Sequence, residues 1–207
     1  GQEHAFKNTA YYVDFCNPYK QFGAQSNYAL RWVDSGNKML TTGGYSVRMR
    51  IASTPYDMKS LSTSGGSYSS AVTGYAPREM TMNSTGTKFL WGPEGQYKNI
   101  VEYSLSTAWD LSTMSSQNTY SLTGQVSSVQ SGTVSDDGKY IYVSQSSTIY
   151  QWTMSTPFDL STASYTQSQS GFSGSEGSIK FNHDGTQLIT CNNSAQIKSY
   201  TLSTGFD

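Results

Sequence analysis

Two histidines, two cysteines and a thin scatter of carboxylates are the residues of this 207-residue chain that could do chemistry. Acyl or phosphoryl chemistry needs a base beside a nucleophile or a cradle for phosphate. His183 stands in a turn position that other repeats fill with Ser84 or Asp136, and His4 lies near the start of the chain, away from any motif. No His-Glu-x-x-His, phosphate-binding loop or Gly-x-Ser-x-Gly occurs. Gly171-Phe172-Ser173-Gly174-Ser175 misses the last pattern by one position. Asp136-Asp137 offers hard oxygen ligands, but no alternating Asp loop accompanies them, so a solvated turn is expected rather than a calcium site. No catalytic residue, metal site or cofactor is therefore expected. Cys16 and Cys191 form no Cys-x-x-Cys, which argues against zinc and thioredoxin-like chemistry. In an oxidising compartment the two could pair; otherwise they are small buried residues that never meet. Asn83-Ser84-Thr85 and Asn192-Asn193-Ser194 match the glycosylation sequon, as chance permits in a chain rich in Ser and Thr.

The informative pattern is a repeat. Ser-Thr, any residue, an aromatic and Asp recur as Ser53-Thr54-Pro55-Tyr56-Asp57, Ser106-Thr107-Ala108-Trp109-Asp110, Ser155-Thr156-Pro157-Phe158-Asp159 and Ser203-Thr204-Gly205-Phe206-Asp207, spaced by 53, 49 and 48 residues. A fixed period near fifty marks a repeat architecture. About twenty residues before each phrase stands a turn signal ending in Gly36, Gly86, Gly138 or Gly185. Glycine supplies the positive φ of a tight hairpin. Before each turn, Leu30 and Trp32, Met80 and Met82, Gly132 and Val134, and Ile179 and Phe181 alternate with Arg31, Thr81, Thr133 and Lys180. Period two predicts a strand with one buried and one polar face.

After the turn, continuous apolar runs (Met39-Leu40, Phe89-Leu90-Trp91, Ile141-Tyr142-Val143, Leu188-Ile189) predict a strand buried on both faces. A third strand leads into the phrase, with Val47, Ile100, Ile149 and Ile197 seven residues before its Thr. A polar fourth strand, around 119–122 and 164–168, suits an outer edge. Asp57, Asp110, Asp159 and Asp207 are expected to fix a turn by accepting a backbone N–H two residues on. Tyr56, Trp109, Phe158 and Phe206 are expected to plug gaps between units. Four short strands repeated four times predict an all-β, four-bladed β-propeller, with units of about 19–57, 58–110, 111–159 and 160–207. A long sandwich would need no such period.

Asp136-Asp137-Gly138-Lys139-Tyr140-Ile141-Tyr142-Val143 resembles the core of YVTN-type propeller repeats, and Asn182-His183-Asp184-Gly185-Thr186-Gln187-Leu188 is a looser copy. The resemblance spans residues 28–207. It implies a secreted or surface protein of bacterial, archaeal or phage origin. Related lactonase-like propellers are enzymes, but their site maps onto no residues here.

Residues 1–18 stand apart as an arm. Tyr11-Tyr12-Val13-Asp14-Phe15-Cys16-Asn17-Pro18-Tyr19-Lys20 resembles the strand leading into Pro55-Tyr56-Asp57, giving five copies of the third strand against four of the first two. Residues 20–25 can supply the outer strand of the last blade, which leaves residues 5–16 over. Such a strand can lie on its own propeller, be the remnant of a longer one, or add to a neighbour's sheet edge. Tyr11, Tyr12, Val13, Phe15 and Tyr19 are then the candidate assembly interface. Only 13% of residues are charged and the net charge is −1, which argues against nucleic acid as a partner. No apolar run is long enough to span a membrane. Abundant Ser, Thr, Gly and Tyr, with an N-terminus lacking a basic flank, suggest an extracellular or cell-surface protein whose leader has been removed. The expected function is a non-enzymatic structural subunit that polymerises with copies of itself. The alternatives are an adhesin that binds surface glycans and a lactonase-like hydrolase.

Overall fold

The computed structural model describes residues 27–43, 46–62, 66–69, 79–92, 98–172, 176–192 and 197–205. Their strands form four antiparallel sheets, the blades of a four-bladed β-propeller. Blade 1 contains β1 (Asn27–Val33), β2 (Lys38–Gly43), β3 (Ser46–Ile51) and β4 (Ser67–Ser69). Blade 2 contains β5 (Met80–Met82), β6 (Lys88–Trp91), β7 (Asn99–Leu105) and β8 (Met114–Ser121). Blade 3 contains β9 (Ser131–Val134), β10 (Tyr140–Gln145), β11 (Thr148–Met154) and β12 (Ala163–Ser170). Blade 4 contains β13 (Glu176–Phe181), β14 (Gln187–Asn192) and β15 (Ile197–Thr201), and among the described residues it has no fourth strand.

Within each blade, strands pair in sequence order. Three of the second strands are buried as their composition demands: Met39, Leu40, Phe89, Leu90, Trp91, Ile141 and Val143 are all in the core. In β14 Leu188 is buried, but Ile189, expected in the core with it, is 43% exposed, because no described core packs on its face of blade 4. The first strands depart from the expected alternation. Thr81 and Thr133, on the polar face, are buried together with Met80, Met82 and Val134. Their polar face looks into the narrow axis where the first strands converge, so it is shielded from water as well. Leu30, expected in the core, is 58% exposed.

The outer strands β8 and β12 carry Ser, Thr, Asn, Gln and Tyr but no charged residue. Both contain a bulge against the third strand, at Glu102/Tyr103 and at Gln151/Trp152. Neighbouring blades share apolar cores. Val47 and Met49 of blade 1 pack with Trp91, Tyr103 and Leu111 of blade 2. Leu90 and Ile100 pack with Trp152, Phe158 and Leu160 of blade 3. Tyr142 and Ile149 pack with Ile179 and Leu188 of blade 4. The remaining cluster, Met39, Ala52 and Leu61 with Trp32, stays within blade 1.

Candidate assembly site

The repeated phrase builds a lock at the end of each third strand. Its aromatic takes a left-handed backbone, φ 60° at Tyr56, 65° at Trp109 and 58° at Phe158. Its N–H donates to the carbonyl of the turn glycine 20 to 23 residues earlier: Tyr56 to Gly36 at 2.9 Å, Trp109 to Gly86 at 2.9 Å and Phe158 to Gly138 at 3.0 Å. The ring then lies flat on that glycine, so a β-carbon at Gly138 would stand 2.0 Å from Phe158. The aromatics therefore cover the turn of their own unit first. Phe158 and Trp109 also reach the core shared with the preceding blade, whereas Tyr56 is 63% exposed.

The aspartates behave as expected. Asp57 accepts from Lys59 N, Asp110 from Ser112 N and Asp159 from Ser161 N, each capping a short 3-10 turn. The Ser112 hydroxyl, helped by its backbone N–H, holds the Asp110 carboxyl below the usual aspartate range. Ser161 does the same for Asp159. The Ser-Thr that follows Leu111 and Leu160 is also part of the lock, because Thr113 and Thr162 hydroxyls accept from Thr107 N and Thr156 N at 3.1 Å. Its role rests on a hydrogen bond to a residue six positions earlier, which the repeat spacing alone does not announce. Phe206 and Asp207 lie outside the described residues.

Two of the 3-10 turns dock on the preceding blade. The turn Leu111–Thr113 touches β4, and the turn Leu160–Thr162 touches β8. The buried Glu102 accepts from Leu160 N at 2.9 Å and Asn118 Nδ2 at 3.1 Å, and pairs with Lys88. Leu111 and Leu160 are consequently 0% and 2% exposed. Met58, the same position in blade 1, is 38% exposed. Its turn, Met58–Ser60, would dock on the fourth strand of blade 4.

Two further signs mark that place. On the other side of blade 4, a cavity of about 400 Å³ opens between blades 3 and 4, lined by Ile149, Gln167, Gln169, Phe172, Leu188 and Leu202 among others. And β15 presents a free edge among the described residues: Ile197 is 73% exposed, whereas its equivalents Val47, Ile100 and Ile149 are buried beneath fourth strands. Because Leu202 N donates to Thr186 O, alternation along the ladder turns the N–H groups of Ile197, Ser199 and Thr201 outward.

The axis holds the other polar cluster. Glu79, nearly buried, accepts from Arg31 at 2.8 Å and Lys180 at 2.5 Å. Arg31 also reaches Asp136 at 2.7 Å, beside an exposed His183 at 3.4 Å. These pairs tie all four blades together and pair cation with carboxylate, so the cluster reads as a hub. Among the described residues no three His, Cys, Asp or Glu side chains gather to hold a metal, and no helix is long and apolar enough to cross a membrane. The Asn83 carboxamide is engaged by Thr87 N at 2.9 Å and Lys88 N at 3.0 Å, so that sequon is folded into its turn. Cys191 is half-buried on β14, while Cys16 and the arm residues Tyr11, Tyr12, Val13, Phe15 and Tyr19 lie outside the described residues.

No family model and no curated protein sequence matches the chain. Solved structures do. A 6-phosphogluconolactonase candidate from Bacteroides fragilis aligns with TM-score 0.58 and 17% identity over 86% of this chain and 52% of its own. A chain of the mitotic checkpoint complex gives 0.58 and 15% over 85% and 50%. The β-propeller domain of Cps50 (Swd1) from Myceliophteria thermophila gives 0.56 and 12% over 86% and 55%. The fold is a β-propeller. At these identities the likeness carries the fold alone, and this chain spans about half the length of each.

Proposed function

We propose that this protein is a non-enzymatic extracellular structural subunit, a YVTN-like propeller that forms a homopolymer, as a filament or surface layer, by lending its N-terminal strand to a neighbouring copy. One observation carries the reading: β15 is a third strand whose edge is open among the described residues, while β3, β7 and β11 are each covered by a fourth. An open edge with outward amides templates the addition of another strand. A strand passed head to tail between identical subunits does not close unless the rotation closes, and so propagates.

The arm's composition supports transfer between copies. The outer strands β8 and β12 are polar because their outward sides face water. An outer strand of Tyr, Val and Phe needs a cover that a lone ring does not supply to its other outer strands. Burying such side chains contributes about 1.5–3 kcal/mol each before ordering costs. The composition, with many Ser, Thr and Tyr and few charges, fits an exposed extracellular protein.

Deletion of residues 1–16 tests the reading. The truncated protein should remain a folded monomer by light scattering and form no polymer under the electron microscope. Polymers indistinguishable from those of the full chain would discard strand transfer and return the glycan-binding alternative to the front.

A further inference from the structure

Blades 1, 2 and 3 each offer a seat towards the next blade, built from equivalent positions of the repeat. In blade 1 these are Leu40, its cross-strand neighbour Met49, and Tyr68 opposite Val47. Leu111 fills that seat in a shared apolar core. In blade 2 they are Leu90, Glu102 and Tyr120, and Leu160 fills the seat while Lys88 pairs with Glu102. In blade 3 they are Tyr142, Gln151 and Gln169, with Gln167 opposite Gln151 where blade 2 sets Asn118 opposite Glu102. These four side chains line the open cavity of about 400 Å³ between blades 3 and 4.

Blade 3 departs from the other two in a single chemical direction. An aliphatic residue gives way to Tyr, a Tyr gives way to Gln, and a Met or a paired Glu gives way to an uncharged Gln. A seat for a leucine side chain gains nothing from carboxamides, whose burial costs free energy unless they are hydrogen-bonded. Here they are held in a chain along one wall. Gln151 and Tyr142 are both buried. Gln151 Nε2 donates to the Tyr142 hydroxyl at 3.2 Å, and Gln151 Oε1 accepts from Gln167 Nε2 at 2.8 Å. Blade 4 supplies a largely apolar wall of Phe181, Leu188 and Leu202, with the Phe181 ring 4.3 Å from that of Tyr142. Among the described residues none that lines the cavity is charged.

We propose that the cavity between blades 3 and 4 binds a neutral saccharide, a mono- or disaccharide or the end of a longer glycan. Its volume lies within the range of about 300–1,000 Å³ typical of small-molecule sites. Carboxamides and hydroxyls both donate and accept, as sugar hydroxyls do, so Gln151, Gln167, Gln169 and Tyr142 match a polyol edge. The C–H face of a sugar ring sheds water against Phe181 and Leu188 on the other wall. A carboxylate or phosphate would enter without a cation to pair it, and a wholly apolar ligand would strip water from the carboxamides and return no hydrogen bond. The site lies within one ring and does not depend on strand transfer.

Saturation-transfer NMR on the full chain tests the site, with glucose, galactose, mannose and their disaccharides, each beside the matching uronate. At least one neutral sugar should bind saturably, and its uronate should bind about tenfold more weakly. Gln167→Ala, at an exposed position of β12, should weaken that binding about tenfold without moving the thermal midpoint. Tyr142→Leu places at this position the residue type that blades 1 and 2 carry there, and should weaken binding to a similar degree. Gln117→Ala, an exposed carboxamide on β8, should change nothing. Absence of saturable binding by every neutral sugar would overturn the proposal. So would binding that Gln167→Ala and Tyr142→Leu both leave intact, binding that Gln117→Ala weakens equally, or a uronate held as tightly as its neutral sugar. A synthetic peptide of residues 155–162 is the last probe: if it binds at Gln167 and no sugar does, the cavity is a seat for a leucine turn and the saccharide is excluded.

Discussion

The joint between blades 2 and 3 and the gap between blades 4 and 1 are built from the same repeat and end in opposite states. At the first, Leu160 is sealed, its N–H is held by Glu102, and Phe158 closes the Gly138 turn in a shared core. At the second, Met58, Leu30, Ile189 and Ile197 are all exposed, and no described core joins the two blades. Among the described residues the difference lies in the fourth strand, which covers β7 and β11 and not β15, rather than in weaker side chains. A fourth strand is at once the cover of its own blade and the docking floor for the next blade's turn.

The sharpest way to break this comparison is in the cores. Trp152→Ala at the closed joint should cost about 3–5 kcal/mol in urea unfolding of the monomer. Ile197→Ala at the open gap should cost the monomer almost nothing while weakening polymerisation. Equal losses in the monomer would mean that the gap is filled within a single chain. Next in size, Glu102→Ala removes the acceptor of Leu160 N and the partner of Lys88, a loss of about 1–3 kcal/mol. Ser199→Ala, at the equivalent position of blade 4, should leave the monomer unchanged.

Glycines sharpen the comparison further. Gly138→Ala meets both φ +73° and the enclosed Phe158 ring, and should exceed the roughly 1 kcal/mol backbone penalty of a left-handed alanine. Gly36→Ala should cost little beyond that penalty, because the exposed Tyr56 can swing away. Differential scanning calorimetry would rank the two. The smallest effect is on pH. Asp110 and Asp159 have carboxyls held below their ordinary range, so they stabilise the fold above the unfolded aspartate value of about 3.9 and lose that contribution as pH falls through the depressed folded value. Asp110→Asn and Asp159→Asn should each flatten the acid limb of the stability curve, and the turn should otherwise persist.

Much of the fold was readable because the repeat reports the same local physics four times. The glycine turns, the doubly buried second strands and the capping aspartates follow from φ preference, hydrophobic runs and Asx geometry, all local in sequence. The buried Thr81 and Thr133 were not readable, because their shielding comes from three other blades closing around an axis. Nor was the role of Tyr56, Trp109 and Phe158: an aromatic four residues past the strand gives no hint that it lies on a glycine twenty residues back. Of the candidate assembly site, the uncovered edge of β15 among the described residues was not legible, since an edge is a property of pairing across the sheet. The arm residues came from the repeat count, a fifth copy of the third strand, and they lie outside the described residues.

The chargeless outer strands have a consequence for how such fibres would behave in company. Colloidal particles are usually kept apart by their own electric double layer, and β8 and β12 present hydroxyls, amides and the ring of Tyr165 to the medium, but no charge. Fibres decorated with these surfaces would have little repulsion for added salt to screen. Sideways gathering into bundles should then proceed nearly alike in dilute and in saline water, and respond instead to solutes that compete for hydroxyl and amide hydrogen bonds.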